Sequence, residues 1–314
     1  MYKNLNAGLI GISGRQSELI ELALTYGFRG IDIDLSDLVK RSQRGSFETA
    51  ARFLTSGKLK LSGFEAPIDL DSDDESFATQ LAALTASAEV AKRIGATVAM
   101  LRVPPATDRL PFHEFFTVMH KRIDQVAAVF GKEEIQVGLY FTAIPSNAEG
   151  KQFKFVGDVT GFLALFRSCT AKNVGIIFDS WSWHIGGGAA DQLAELPVDR
   201  VYGIRIADLV EDVSLKEVTS KDRLLPGSNG TVDNVRYIKH FAEAGYKGPV
   251  TAMGYPLNSG STRDSSVSLA QDALDKVLEE AGVPSTKRKP EMFAQASYSS
   301  YQSDDRGYRD RDRD

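Results

Sequence analysis

The sequence predicts a single (β/α)8 barrel over residues 1–284, followed by a disordered polar tail at residues 285–314. Three observations predict it. Short apolar runs alternate with helical patterns, and such alternation implies parallel strands joined by crossover helices. The units number eight, and a barrel of eight takes ~250 residues. The rival, a doubly wound sheet with a second domain, lacks its signature. No G-x-G-x-x-G follows the first run, and Gly186–Gly188 has neither the spaced glycines nor the lysine of a phosphate loop.

The elements follow in order. Gly8-Leu-Ile-Gly-Ile12 reads as the first strand. Ser13-Gly-Arg-Gln16 has capping-box spacing, Leu19, Leu22, Ala23 and Tyr26 recur at helical intervals, and Gly27 stops the helix. Gly30–Leu35 is the second strand, with a helix around Phe47–Leu54. Leu59–Phe64 is the third, followed by a long Ala-rich helix, Asp73–Ile94, that ends at Gly95. Val98–Val103 is the fourth, closed by two prolines, and Phe112–Phe130 is its helix. Ile135–Tyr140 is the fifth, with a helix at Thr160–Ala171, and Val174–Phe178 the sixth, with a short helix at Ala189–Leu196. Val201–Ile206 and a helix at Asn234–Ala244 make the seventh unit, and Pro249–Met253 with Ser266–Ala281 the eighth. From Ser285 onward aliphatic residues nearly vanish and Arg alternates with Asp. Such a segment buries too little apolar surface to offset its ordering entropy.

Composition narrows the function classes. Hydrophobic residues are 42% and charged residues 25% of 314, ordinary for a globular chain that builds a core without staples. One cysteine, Cys169, excludes a disulfide framework and argues against a thiolate metal centre. No apolar run reaches the ~18 residues of a membrane span, and the first residues make a poor signal peptide. A net charge of −5 argues against general nucleic-acid binding. The expectation is a cytoplasmic protein, with no membrane and no nucleic-acid partner and with homo-oligomerisation left open.

In such a barrel the C-terminal strand ends carry the chemistry. Those ends present Asp34, Glu65, Arg102, Tyr140, Asp179 with Trp181, Arg205 with Asp208, and Met253. Asp34 and Glu65 also fit as plain rim carboxylates, and Arg102 as a rim ion-pair partner. Asp179 stands out, because Asp179-Ser-Trp-Ser-Trp-His184 sets a carboxylate, two indoles and an imidazole within six residues. Indole faces stack on the apolar faces of sugar rings while Asp, Arg and His bond the hydroxyls. The plain alternative is that the tryptophans plug the barrel mouth.

Four segments carry a resemblance. Phe178-Asp-Ser-Trp-Ser-Trp-His-Ile-Gly-Gly187, Ile204-Arg-Ile-Ala-Asp-Leu209, Arg223-Leu-Leu-Pro-Gly-Ser-Asn-Gly-Thr-Val-Asp233 and Gly245-Tyr-Lys-Gly-Pro-Val-Thr-Ala-Met253 recur in order. They resemble the xylose-isomerase-like TIM barrels, the sugar phosphate isomerase/epimerase group with endonuclease IV relatives, over residues 5–282. The resemblance implies one divalent metal (Mn, Mg, Co or Zn) held by Glu, Asp, His and Glu from strands five to eight, with the glutamates moving a proton. The matching positions here are Tyr140, Asp179, Arg205 and Met253, of which only the aspartate is kept, and the family's histidine three residues after that aspartate is Ser182. A thioether and a phenol suit a hard cation poorly, and a guanidinium repels it. An endonuclease needs several metals and more than the 4 histidines present.

Three functions are therefore weighed. The first is a family member that binds a sugar, polyol or sugar phosphate without metal chemistry, through Arg102, Tyr140, Asp179, Trp181, Trp183, His184, Arg205 and Arg223. The second is an isomerase or epimerase with His184, Asp208, Glu65 and Tyr140 as acid/base candidates and Arg205 as a fixed cation, a divalent metal entering only there. The third is a non-catalytic scaffold whose tail recruits partners. Arg205 is expected to pair with Asp179, or else to turn outward to Asp208 or Glu211.

Overall fold

A computed structural model describes residues 1–255 and 262–286. Eight parallel strands close into a barrel: β1 (Tyr2–Leu5), β2 (Gly30–Ile33), β3 (Lys60–Glu65), β4 (Val98–Arg102), β5 (Gln136–Tyr140), β6 (Val174–Asp179), β7 (Val201–Ile206) and β8 (Pro249–Ala252). Each pairs with its sequence neighbour, and β1 pairs with β8 through Tyr2–Pro249, Lys3–Val250 and Asn4–Thr251. The helices outside are α1 (Gln16–Thr25), α2 (Leu35–Arg44), α3 (Phe47–Ser56), α4 (Asp74–Ile94), α5 (Phe112–Gly131), α6 (Val159–Ser168), α7 (Ser180–Ile185), α8 (Ala190–Ala194), α9 (Asn234–Glu243) and α10 (Arg263–Glu280). No helix among the described residues is long and apolar enough to cross a membrane.

Strand alternation sorts the core into layers. Ile31, Ile33, Ala99, Leu101, Val137, Leu139, Ile176, Phe178, Ile204 and Ile206 face the helices and join one continuous apolar cluster. The opposite parity faces the barrel axis, where Val98, Met100 and Ile177 form a small cluster edged by Tyr140 and Tyr202. Glycine makes room there: a side chain at Gly138 would overlap Ile177, and one at Gly203 would press on it. A third cluster closes the mouth, with Ile144, Trp181, Ala207, Leu209, Val218, Val232 and Met253.

Aspartates start five of the ten α-helices among the described residues, α2, α4, α6 and α7 among them. Asp34 accepts Asp37 N–H at 2.9 Å, Asp73 accepts Ser76 N–H at 2.8 Å, Asp158 accepts Gly161 N–H at 2.7 Å and Asp179 accepts Ser182 N–H at 2.8 Å. Each supplies an acceptor to the open N–H groups of a first turn, where the helix dipole also favours negative charge.

One strand and one helix cap need correction. Gly8–Ile10 is a 3-10 turn, not the first strand, and β1 lies earlier, at Tyr2–Leu5. The signal was hidden because β1 buries polar side chains. Lys3 is 2% exposed and paired with Asp275 at 2.7 Å, and Asn4 donates to Asp32 and Thr251, each at 3.0 Å. The capping box at Ser13 also does not form. Instead α1 begins at Gln16, and Glu18 accepts the Arg15 N–H at 3.2 Å. Of the expected tail, Ser285 and Thr286 are described. Ser285 Oγ donates to Asp275 at 2.6 Å, and Thr286 accepts from Arg29 at 3.2 Å; the remainder lies outside the described residues.

Candidate functional site at the barrel mouth

Arg205 is the centre of the mouth. It sits on the inward parity of β7, between Ile204 and Ile206 on the helix side, and is 4% exposed. Its guanidinium reaches across the barrel to β3, where Nη2 donates to Glu65 Oε1 at 3.1 Å and lies 2.9 Å from Met100 Sδ. Its carbon stands 4.5 Å from the centre of the Tyr140 ring, a cation–π distance. Tyr140 in turn donates its hydroxyl to Glu65 Oε2 at 3.0 Å. Three strands therefore join in one triad, in which Glu65 accepts from both partners and keeps a side chain 53% exposed to the mouth.

The charge balance follows from these placements. Burial works against the charge on Arg205, but Glu65, Tyr140, Asp32 and Asp179 outweigh it and hold the guanidinium protonated. Burial, and then the nearby Glu65 charge, push the Tyr140 phenol up to about 12, so it is a donor at neutral pH. Asp32 faces inward from β2 and accepts from Asn4 and Asn6, at 3.0 and 2.9 Å. Burial raises it above the usual carboxylate range, against the pull of Arg205. Burial raises Asp179 likewise, with Arg223 as the strongest opposing charge. One buried cation thus serves three carboxylates.

Arg205 and Asp179 do not form the expected pair. Their positions match in the β6–β7 register, but Asp179 turns to cap α7, and Glu65 is the ion-pair partner of Arg205 among the described residues. Nor does Arg205 turn outward to Asp208 or Glu211.

The other expected residues separate. Asp208 is fully buried and accepts backbone N–H groups from Leu209, Asn229, Gly230 and Val232 at 2.8–3.0 Å. Its work is to hold the loop after β7, and its lone pairs are spent there. Trp183 is 2% exposed and packs on Phe178 at 5.2 Å in the helix-side layer, not in the mouth cluster. Trp181 is wholly buried in the mouth cluster, with Arg223 lying over its ring at 4.3 Å. His184 is half-buried on α7, and burial lowers it against the pull of Asp208. Arg102 ends β4 exposed, without an ion pair among the described residues. Met253 is buried among apolar neighbours, 1% exposed.

Among the described residues the buried donors Trp181 Nε1 and Arg223 Nε have no hydrogen-bond partner, and Arg223 is the strongest positive charge acting on Asp179. Asp32 was missed in the sequence, as were its supports Asn4 and Asn6. The signal was present in Ile31-Asp-Ile33, where a carboxylate holds the parity opposite two apolar residues. Asp32 also borders a cleft of about 760 Å³ that runs past Arg15, Gln16, Asp37, Arg41 and Phe53. No three of His, Cys, Asp and Glu are grouped as metal ligands among the described residues.

The closed eight-stranded barrel agrees with the family that the sequence matches. The family model of the xylose isomerase-like TIM barrel matches residues 20–277, and the chain belongs to that family. A xylose isomerase domain protein from Alicyclobacillus acidocaldarius is similar in structure, at 25% identity and a TM-score of 0.78, over 90% of this chain and 99% of that one. The IOLI protein, solved with a zinc atom, shares the fold at 16% identity and a TM-score of 0.77, again over 90% and 99% of the chains. The 3-keto-D-glucoside 4-epimerase YcjR from E. coli shares it at 16% identity and a TM-score of 0.65, over 88% and 98%. No curated protein sequence matches the chain.

Proposed function

We propose that this barrel binds a sugar, polyol or sugar phosphate at its C-terminal mouth, and that it does so without a divalent metal. The observation that carries the reading is Arg205, a buried guanidinium bonded to Glu65, at a position that the resemblance assigns to a metal ligand. The side chains at the ligand positions do not fit a dication. Tyr140 is a protonated phenol under a cation, and Met253 is a thioether inside an apolar cluster. At ~4 Å and an effective dielectric of ~20, each unit charge facing Arg205 would repel by about 4 kcal/mol, and a dication by about twice that.

The same mouth suits hydroxyls. A sugar hydroxyl both donates and accepts, so it needs a donor and an acceptor side by side. Among the described residues Trp181 Nε1 and Arg223 Nε are donors without a partner, and Asp179, which feels the Arg223 charge, is an acceptor. A hydroxyl there would satisfy groups that are costly to leave bare. The epimerase among the structural relatives acts on a sugar, which agrees with this class of ligand.

The test pairs elemental analysis with thermal melting. A panel of keto-sugars, polyols and their phosphates should contain a ligand that raises the melting temperature. At ~100 times the dissociation constant the gain is about 2.7 kcal/mol. Millimolar Mn²⁺, Mg²⁺, Co²⁺ or Zn²⁺ should give no chelator-reversible rise. Stoichiometric bound metal would overturn the metal-free part of the reading, and silence across the panel would overturn the ligand class.

A further inference from the structure

Resting on that reading, we infer that the Glu65–Tyr140–Arg205 triad moves a proton on an α-hydroxy carbonyl ligand without a metal, with Glu65 as the catalytic base. Glu65 is the one of the three carboxylates that is open enough to meet a C–H bond. Asp179 is 8% exposed with one oxygen held by the first turn of α7, which leaves it a hydrogen-bond acceptor only, and Asp32 is enclosed by Asn4 and Asn6. Glu65 ends β3 with more than half its side chain open, and each of its oxygens is fixed by one donor. A carboxylate oxygen takes two hydrogen bonds, so a lone pair remains on each to meet a C–H bond.

The proton step balances within the triad and the ligand. Glu65 takes the hydrogen from the carbon that bears the hydroxyl, and the C–H pair becomes the C=C bond of an enediol. The carbonyl pair moves onto oxygen, within the field of the Arg205 guanidinium. The protonated Glu65 no longer needs two donors, so the Tyr140 hydroxyl is released to hydrogen-bond the new oxyanion. Returning the proton from Glu65 to the same face of the same carbon restores the ligand, and returning it to the neighbouring carbon, while the hydroxyl proton of the enediolate passes to the oxyanion, shifts the carbonyl. No oxidant, reductant or second substrate enters. A preorganised cation at a site of developing negative charge is the kind of stabilisation that a metal supplies elsewhere. The partition is distinctive: base, donor and cation come from β3, β5 and β7, and His184 and Asp208 take no part.

The experiment is hydrogen–deuterium exchange at the α-carbon, followed by proton NMR in D₂O with excess EDTA. The probes are dihydroxyacetone, D-fructose and whichever keto-sugar most raises the melting temperature. The full chain should wash out the α-hydrogen of the stabilising probe. Glu65→Gln should lose ~10²-fold or more of that rate, the usual scale for a positioned base, while keeping the ligand's melting shift. Tyr140→Phe should slow exchange with a smaller effect, because Arg205 still faces the oxygen. A probe that raises the melting temperature yet keeps its hydrogen overturns the proton step and leaves the binding reading intact. Exchange that EDTA abolishes, or that Glu65→Gln retains in full, also overturns it. If no probe raises the melting temperature, both readings fall together.

Discussion

A buried cation is retained only where its surroundings keep it charged, and at Arg205 the count of partners is unequal on the two sides. Glu65 has one ion pair and a half-open side chain, whereas Arg205 is enclosed and faces Glu65, Asp32 and Asp179. Truncation is therefore asymmetric. Breaking a buried pair typically costs ~3–5 kcal/mol, and the exposure of Glu65 lowers this to about 2–3 kcal/mol for Arg205→Met. Glu65→Gln keeps an acceptor for both donors and should cost about 1 kcal/mol or less. Urea unfolding of the two variants measures the difference, and equal losses would show that the guanidinium is held by Glu65 alone. Asp32 gives a second signature. Burial raises it in the folded chain, so the native state binds more protons than the unfolded state just above the ordinary carboxylate range. In that window stability falls as pH rises, and the loss is complete above the folded value. Carboxylates that are lowered by their partners, such as Asp74 beside Arg122, act with the opposite sign and at lower pH. The melting temperature of Asp32→Asn should therefore gain on wild type as pH climbs from about 4 towards 7. A constant gap across that range would mean that Asp32 titrates alike in both states.

At the scale of elements, the strands with apolar helix-facing residues were legible and the ones that bury polarity were not. β4 to β7 lie within a residue or so of where their apolar runs place them, because alternation and flanking glycines or prolines mark both ends. β1 was unreadable, since its inward Asn4 and its paired Lys3 are satisfied by residues between 28 and 272 positions away. α2 was missed for a related reason. It has few apolar residues, and its start is the Asp34 cap, which the sequence offers equally as a rim carboxylate. The site was legible in part. Tyr140, Arg205 and Glu65 were found from strand ends, yet their triad was not, because spacing says nothing of contacts across a barrel. Asp208 and Trp183 drew notice as polar and aromatic residues near a strand end and turned out to brace loops and helices. The Asp208 loop is a clean test. Asp208→Ala would leave four backbone N–H groups without their acceptor, two of them at the turn Asn229–Gly230. Each buried orphan costs ~1–3 kcal/mol, and loop relaxation recovers part, so a loss of at least about 2 kcal/mol is expected in thermal melting. Exchange of α-hydrogen should slow only as far as the loop around Arg223 loosens. A variant as stable as wild type would show that the loop has another anchor.

At the scale of the whole molecule, fold class was readable from repetition, since eight similar units in series leave few arrangements that bury every strand on both faces. Function was less readable, because the contacts at the mouth join side chains of β3, β5 and β7 that lie far apart in the chain. Consider what the seam between β1 and β8 asks of the chain as it is made. Residues Tyr2–Asn4 find their partners at Pro249–Thr251, and Lys3 meets its counter-ion at Asp275. A chain emerging from a ribosome at ~5–20 residues per second waits ten seconds or more between those events. Through that interval β1 offers an unpaired edge, and an uncompensated lysine stands at the end of a half-made barrel. Ring closure is a late, long-loop event, so the contacts that finish the barrel are slow to form and give little help to the intermediates before it. The polar choice of Lys3 and Asn4 then has a second consequence: the strand that waits longest for its partner is also the least sticky, and its charge keeps the open edge from joining the wrong one.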